Sequence, residues 1–405
     1  MADLVLYTNS FPYYSSEPFL ETEIQYLSKK FSTVYIQPMT GEGIIRAVPV
    51  NFRILPPPGL KSCSKFKMYS YGIINSYLFL SEKTIRKNLR SGSLLKAIKY
   101  IGLGIWTKKK LEKTLAISGA IHYSYWLNYW AVALALLSRE KKISYFVSRA
   151  HRYDLYTGKG EAALDFLKSF TIKYLGKLFL ISEDGIRFIS GLYPDYTKKY
   201  QLSKLGTSDP GFMAPHNIEG QLILVSCSAL KITKRVGLIL EALICLNQMH
   251  PEIPVTWFHL GDGEAYSVLE KKILEKLVNT QIHCNLKGNV ANNEVIEFYR
   301  NQAVDVFINV SDTEGIPVSI MEAQSCSIPV LATSAGGTPE IVNNENGALV
   351  DVNILPEELA IVIYRLYLNR EDWKRKRILS RQNWELKFCA EKNYSSFADE
   401  LMRLL

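Results

Sequence analysis

The chain is poor in the residues that would make it a metal, disulfide or membrane-spanning protein. Its 405 residues include six cysteines (Cys63, Cys227, Cys245, Cys284, Cys326 and Cys389), scattered with no C-x-x-C pair and no histidine cluster beside them. That excludes a zinc module and a disulfide framework and points to a reducing compartment. No D-x-D motif stands near a strand end, and no metal ligand set is expected. The N-terminus, Met1-Ala-Asp-Leu-Val-Leu-Tyr-Thr, reads as a strand and lacks the basic n-region of a secretory leader. The 25 residues of 114–138 carry no formal charge, yet His122, Ser124, Asn128 and the rings of Tyr123, Tyr125, Trp126 and Tyr129 interrupt them. A strand at 120–123 and a buried helix at 129–137 fit better than a membrane span.

Acidic residues are scarce in one segment. Between 61 and 113 there are thirteen lysines and arginines against Glu82 and Glu112, a net +11, so the remainder carries −2 of the chain's +9. Phe66, Met68, Tyr69, Tyr71, Ile73, Ile74, Tyr77, Leu78, Phe79, Leu80 and Trp106 interleave with these cations. Basic and apolar residues mixed in this way suit a surface that lies on anionic headgroups. A solvated helix pair with a buried apolar face has the same composition. No nucleic-acid-binding motif is present, and no nucleic acid partner is expected.

With 47% hydrophobic and 21% charged residues, the chain has ample core for two domains. The second half alternates regularly. Strands are expected at 222–227, 255–260, 282–286, 304–310, 328–333 and 347–351. Helical spacing lies between them at 236–249, 265–278 and 293–301, and again at 356–369. That order implies a parallel sheet with helices on both faces. The first half is similar but less regular, with strands at 4–7, 33–37, 120–123, 144–147 and 178–181. Residues 202–221 contain Gly206, Pro210, Gly211, Pro215 and Gly220 without an apolar period and read as the connection. The divisions are 1–205, a linker at 206–221, 222–387, and a final helix at 388–405 returning to the first domain.

The most informative stretch is Glu314-Gly-Ile-Pro-Val-Ser-Ile-Met-Glu322. A buried strand precedes it. Pro317 marks a helix start, because its missing N–H is one of the four left unbonded there. Free N–H groups and a positive dipole end suit a phosphate. Glu314 falls in the feeding loop and Glu322 about two turns into the helix.

At this point the chain resembles the retaining GT-B glycosyltransferases, specifically glycosyltransferase family 4, over almost its whole length. The strongest part is Asn309-Val-Ser-Asp-Thr-Glu-Gly-Ile-Pro-Val-Ser-Ile-Met-Glu-Ala-Gln324, followed by Pro329-Val-Leu-Ala-Thr-Ser-Ala-Gly-Gly-Thr-Pro-Glu-Ile-Val342. Asn9-Ser-Phe-Pro12 and Glu17-Pro-Phe-Leu-Glu-Thr-Glu-Ile24 look like the first loop and helix of that family. Ser148-Arg-Ala-His-Arg-Tyr-Asp-Leu155 looks like its histidine loop, and Ser226-Cys-Ser-Ala-Leu-Lys-Ile-Thr-Lys-Arg235 like its phosphate loop. The implied fold is α/β: two Rossmann-like doubly wound domains facing across a cleft.

The resemblance implies transfer of a sugar from a nucleoside-diphosphate sugar, UDP- or GDP-linked, to an acceptor hydroxyl. Lys234, Glu314 and His151 would carry the chemistry, Lys234 at the diphosphate and the other two at the sugar. Glu322 would accept hydrogen bonds from ribose hydroxyls. N–H groups of Gly315, Ile316, Pro317's successor Val318, Gly337 and Thr338 would hold phosphate and sugar, with Gly263 near the base and ribose. The phosphate loop departs from pattern: an expected Arg is replaced by Ala229, while Arg235 stands where many relatives have Gly. Arg235 is therefore the expected second cation. Ser15, Ser16 and Glu17 replace glycines and are expected on the acceptor side with Asp154, which also orients the histidine loop. No cofactor or metal is implied. The expected acceptor is a glycan or lipid-linked hydroxyl in capsule, exopolysaccharide or O-antigen assembly, in the cytoplasm or on the inner face of its membrane. A sugar-nucleotide epimerase of the same architecture and a catalytically degenerate partner protein are the alternatives.

Overall fold

The computed structural model describes residues 2–13, 17–59, 64–79, 94–112, 119–156, 165–217 and 220–404. Two compact units form: residues Met1–Lys204 with Tyr394–Leu405, and Leu205–Asn393.

The first unit is built on seven parallel strands: β1 (Leu4–Thr8), β2 (Val34–Pro38), β3 (Phe52–Ile54), β4 (Ile121–Ser124), β5 (Phe146–Ala150), β6 (Lys177–Leu180) and β7 (Tyr200–Leu202). Their spatial order is β3-β2-β1-β4-β5-β6-β7, so the direction of winding reverses between β1 and β4. Alternate residues serve opposite faces. Val5 and Tyr7 pack with Phe146, Leu178 and the helix Tyr129–Arg139. Leu4 and Leu6 pack with Tyr123, Val147 and Phe179 against Leu20, Ile24 and Leu27 of the helix Leu20–Lys30. The second face is completed by Phe397, Ala398 and Leu401 of the last helix, Ala390–Met402. Covering both faces is what makes the central strands continuous apolar runs.

The uncharged stretch divides as its residues suggest. Strand β4 is followed by the helix Tyr129–Arg139, which Asn128 caps by accepting from Trp130 N at 3.0 Å. No helix among the described residues is long and apolar enough to cross a membrane. Within the basic segment, the helices Lys65–Asn75 and Leu94–Leu111 cross at glycines. A Cβ on Gly72 would lie 1.9 Å from the Ile98 carbonyl oxygen, and one on Gly102 would lie 1.7 Å from that of Met68. Residues 61–63, 80–93 and 113 of that segment lie outside the described residues.

The second unit has six parallel strands: β8 (Leu222–Cys227), β9 (Val255–Leu260), β10 (Ile282–Leu286), β11 (Val306–Asn309), β12 (Val330–Thr333) and β13 (Gly347–Val350). Their order, β10-β9-β8-β11-β12-β13, reverses between β8 and β11.

Three local expectations are corrected. The strand expected at 144–147 is β5, Phe146–Ala150. Its polar Ser148 and Arg149 are fully buried, with the Arg149 guanidinium paired to Glu23 at 2.5 Å. Pro317 is the N-cap of the helix Val318–Ser325 rather than its first residue, and Glu322 sits little more than one turn in. The described residues of 206–221, expected as a linker, belong to the second unit. Thr207 bridges Cys389, and Gly206 lies so close to Ala390 that a Cβ would stand 2.6 Å from its Cα. The short edge strands β3 and β7 and the helix Arg370–Lys387 have no counterpart in the sequence reading. That helix buries only a stripe of Trp373, Lys376, Arg377, Ser380 and Trp384, too narrow to show through its charges.

Candidate active site

In the second unit Lys234 and Glu314 lie where the winding reverses, after β8 and β11; in the first, Glu17 follows β1 at the reversal, and His151 and Asp154 follow β5, one strand beyond it. Open parallel sheets bind ligands at such switch points, because two neighbouring loops leave in opposite directions there and open a crevice.

In the second unit this crevice is a small pocket at the ends of β8 and β11, lined by Cys227, Ser228, Lys234, Asn309 and Ser311 among others. Lys234 closes the short 3-10 turn Ile232–Lys234 that follows β8. Its ammonium donates to Glu314 Oε1 at 2.5 Å. Glu314 is buried on the loop after β11. Arg235 adopts the left-handed backbone conformation, φ 46°. That explains why glycine suits this position: a side chain there is strained. The Arg235 guanidinium is turned inward. Nε donates to the Val310 carbonyl at 2.9 Å, and Nη2 is buried without a hydrogen-bond partner.

Gly336 and Gly337 press against the glutamate loop. Gly336 has φ 53°, and a Cβ there would meet the Glu314 carbonyl oxygen at 2.0 Å. A Cβ on Gly337 would meet that of Gly315 at 2.3 Å, while Gly337 N donates to the same oxygen at 2.9 Å. Any side chain at either position would force the two loops apart. Ile316 and Thr338 are buried beside them, and Val318 opens the helix. Gly263 lies against the phosphate loop, where a Cβ would be 2.9 Å from the Leu230 carbonyl oxygen.

Glu322 is buried and accepts from Asn292 Nδ2 at 2.5 Å. Burial pushes its carboxyl up to about 7, against the opposing Asn292 hydrogen bond. Sequence reasoning missed Asn292. It opens the helix Asn292–Asn301, thirty residues before its partner, and no local pattern marks it.

In the first unit His151 follows β5 and caps the short helix Arg152–Leu155. Its ring packs on Tyr125 and Trp126 with centroids 4.6 Å away in each case, and on Phe19 at 6.1 Å. Neither ring nitrogen has a hydrogen-bond partner. Burial, reinforced by the Arg149 charge, holds its pKa well below the ordinary histidine value. The imidazole is therefore neutral at physiological pH and available as acceptor at one nitrogen and donor at the other. Asp154 fixes this loop, accepting from His151 N at 2.6 Å and Leu127 N at 2.7 Å. Burial raises its carboxyl to about 7.

Glu17, expected on the acceptor side, is tied into its own loop. Its carboxylate accepts from the N–H groups of Asn9, Ser10 and Phe11 at 3.0, 2.9 and 2.7 Å, and from Trp126 Nε1 at 2.5 Å. With four donors satisfied it closes the loop after β1 onto that after β4. Ser15 and Ser16 lie outside the described residues.

Residues 210–382 match the family described as glycosyl transferases group 1. The match covers most of the second unit, including Lys234, Glu314 and Glu322, and less than half of the chain. An uncharacterized glycosyltransferase of Methanocaldococcus jannaschii is 34% identical over 113 residues, 28% of this chain and 30% of that one. The O-antigen biosynthesis glycosyltransferase WbnH of Escherichia coli is 41% identical over 58 residues, 14% of this chain and 17% of its own. The chain thus spans under a third of the length of these curated relatives. The crystal structure of Anabaena HepE in complex with UDP-glucose aligns over 100% of both chains with a TM-score of 0.69 at 14% identity. At that identity the likeness is one of fold: two doubly wound parallel-sheet domains, the GT-B architecture.

Proposed function

We propose that this protein is a retaining glycosyltransferase of family 4 type. It would move a sugar from a UDP- or GDP-sugar to a hydroxyl of a glycan or lipid-linked acceptor in cell-surface polysaccharide assembly. The observation that carries this reading is the convergence of Lys234, Arg235, Glu314 and the Gly336–Gly337 loop on the β8/β11 switch point. The UDP-glucose named with the Anabaena structure and the O-antigen role named for the Escherichia coli relative support the donor and pathway assignments.

The barrier to such a transfer is electrostatic. The diphosphate gains negative charge as it leaves, and the sugar becomes oxocarbenium-like. Lys234 and the unpartnered Nη2 of Arg235 supply fixed cations for the first, and the start of the helix Val318–Ser325 supplies N–H groups. Glu314, once its lysine turns to phosphate, orients sugar hydroxyls or stabilises positive charge at the anomeric carbon. Glu322 accepts the ribose hydroxyls. His151, neutral and with neither ring nitrogen hydrogen-bonded, is the candidate sugar contact of the first unit. With cations supplied by side chains, the reaction needs no metal. We place the protein in the cytoplasm, peripherally attached through residues 61–113.

The test is thermal stabilisation by UDP, GDP, ADP and CMP and their sugars, then acceptor-dependent release of the responding nucleotide with and without a chelator. A ligand at 100 times its dissociation constant stabilises by about 2.7 kcal/mol. One responding nucleotide, lost in Lys234→Ala and Glu322→Ala, is the expected result. Arg235→Ala should slow transfer far more than Lys231→Ala. Binding without acceptor-dependent release would point to an epimerase or a degenerate partner instead. Activity that disappears with the chelator and returns with Mg²⁺ would refute metal independence.

A further inference from the structure

The second unit has another concavity, at the opposite end of its sheet from the switch-point pocket. The starts of β8 and β11 supply Leu222 and Val306, and the helix Arg370–Lys387 supplies Arg370, Trp373, Lys374 and Arg377. Those four stand at i, i+3, i+4 and i+7, on one face of the helix. Along β8, Leu222 and Cys227 are five steps of about 3.3 Å apart, so roughly 16 Å separates the two hollows. Elsewhere on the same helix Arg375 and Lys376 pair with Asp372, and Arg381 with Asp209 and Glu385, whereas Arg370 and Arg377 make no ion pair among the described residues. Arg377 is 6% exposed and donates to the backbone carbonyls of Val304, at 2.7 Å, and Ala214. Burial pulls its pKa down to about 10, against the charge of Asp305. Arg370 gives Nη2 to the Gly220 carbonyl at 2.6 Å, while its Nη1 is buried without a hydrogen-bond partner. Asp305 also lines the hollow, but its two oxygens accept from Ile223 N at 2.8 Å and Asn217 N at 3.2 Å. Desolvated cations that lack a counter-charge are costly until an anion completes them.

We propose that this hollow binds a small organic anion, a phosphate monoester or a carboxylate, with its charged group at Arg370 and Lys374. The free Nη1 of Arg370 is a donor for one oxygen, and a guanidinium fork matches both kinds of group. Lys374 now pairs with Glu371, whose side chain is 82% exposed. Surface pairs of this kind contribute little, so an anion can take the lysine over. The buried charge of Arg377 stands behind them. Leu222, Val306, Trp373 and Leu366, the last from the helix Pro356–Leu368, form an apolar wall. That wall favours a ligand with a carbon body over a bare ion. The site uses no residue of the proposed donor site and does not rest on the glycosyltransferase reading.

The experiment is calorimetric titration of the full chain with inorganic phosphate, glucose 1-phosphate and benzoate, at constant ionic strength in chloride. It compares wild type with Lys234→Ala, which disables the phosphate loop, and with Arg370→Ala and the double variant R370A/K374A. Arg377 is left in place because it holds two backbone carbonyls. Glucose 1-phosphate or benzoate should bind wild type and Lys234→Ala equally. Both Arg370 variants should lose about tenfold or more, the scale of one charge-assisted hydrogen bond. They should keep the wild-type nucleotide response. Which probe binds tells a phosphate monoester from a carboxylate, and inorganic phosphate should bind more weakly than its glucose ester. Binding of neither organic probe to wild type overturns the proposal. So does binding that vanishes in Lys234→Ala and persists in Arg370→Ala, because the anion would then sit at the phosphate loop. Nucleotide binding in Lys234→Ala bears on the donor site alone, so the two readings fail separately.

Discussion

Lys234 and Glu314 neutralise each other across 2.5 Å in the second unit. A diphosphate entering the cavity must take the lysine from the glutamate, so the carboxylate competes with the ligand. Glu314→Gln should therefore bind the free nucleoside diphosphate more tightly than wild type, by roughly 1.5- to fivefold for a partly exposed pair, while transfer collapses. Calorimetry on the variant checks this; weaker binding would mean that the glutamate positions the lysine instead. Glu322 makes a second prediction, through pH. Burial raises its folded pKa to about 7, above the unfolded carboxylate value, so the folded state holds the extra proton. Its contribution to stability therefore falls as pH rises from the unfolded value to about 7. Ribose hydroxyls donate to the ionised form, so nucleotide affinity should rise from pH 6 toward 8 and then level off. Binding isotherms across that range should show the slope in wild type and lose it in Glu322→Gln.

At the scale of elements, the basic segment owes its geometry to two glycines. The helices Lys65–Asn75 and Leu94–Leu111 touch backbone to backbone at Gly72 and Gly102. Gly102→Ala would put a methyl group where the Met68 carbonyl oxygen now stands and so force the helices apart. The expected cost is about 1–3 kcal/mol, typical of overpacking, despite alanine's better helix propensity. Urea unfolding measures it; an unchanged midpoint would show that the crossing is loose. The same scale explains which elements were legible in advance. Strands with both faces buried, such as β8 and β11, announce themselves as apolar runs. Strand β5 does not, because Arg149 interrupts it and is tolerated only through Glu23, 126 residues away. The three-residue edge strands β3 and β7 are too short to leave a period.

At the scale of the whole molecule, the first unit is closed by the far end of the chain. Phe397 packs on Phe179 and Tyr123 and lies under the Arg149 guanidinium, centroid distances 5.0, 5.2 and 4.1 Å. Phe397→Ala should remove about 3–5 kcal/mol from the first unit. If the units unfold separately, only one of two thermal transitions should shift; a variant that melts like wild type would show that the helix is dispensable.

The sequence by itself determined the alternation of strands and helices in both halves, the glutamate loop feeding a helix, and the glycine pair after β12. These are local matters: hydrophobic period, the cap that proline allows, and the backbone freedom of glycine act over a few residues. Tertiary structure alone decided the partnerships. Lys234 with Glu314, Asn292 with Glu322, and Glu17 with Trp126 are separated by 80, 30 and 109 residues. The partner of each depends on which strands lie side by side, and in a parallel sheet neighbours in space are joined by long crossovers. Strand order, with its reversal at β1/β4 and β8/β11, is set by packing of the whole unit. That is why the candidate residues could be named from the chain, while their pairing and burial could not.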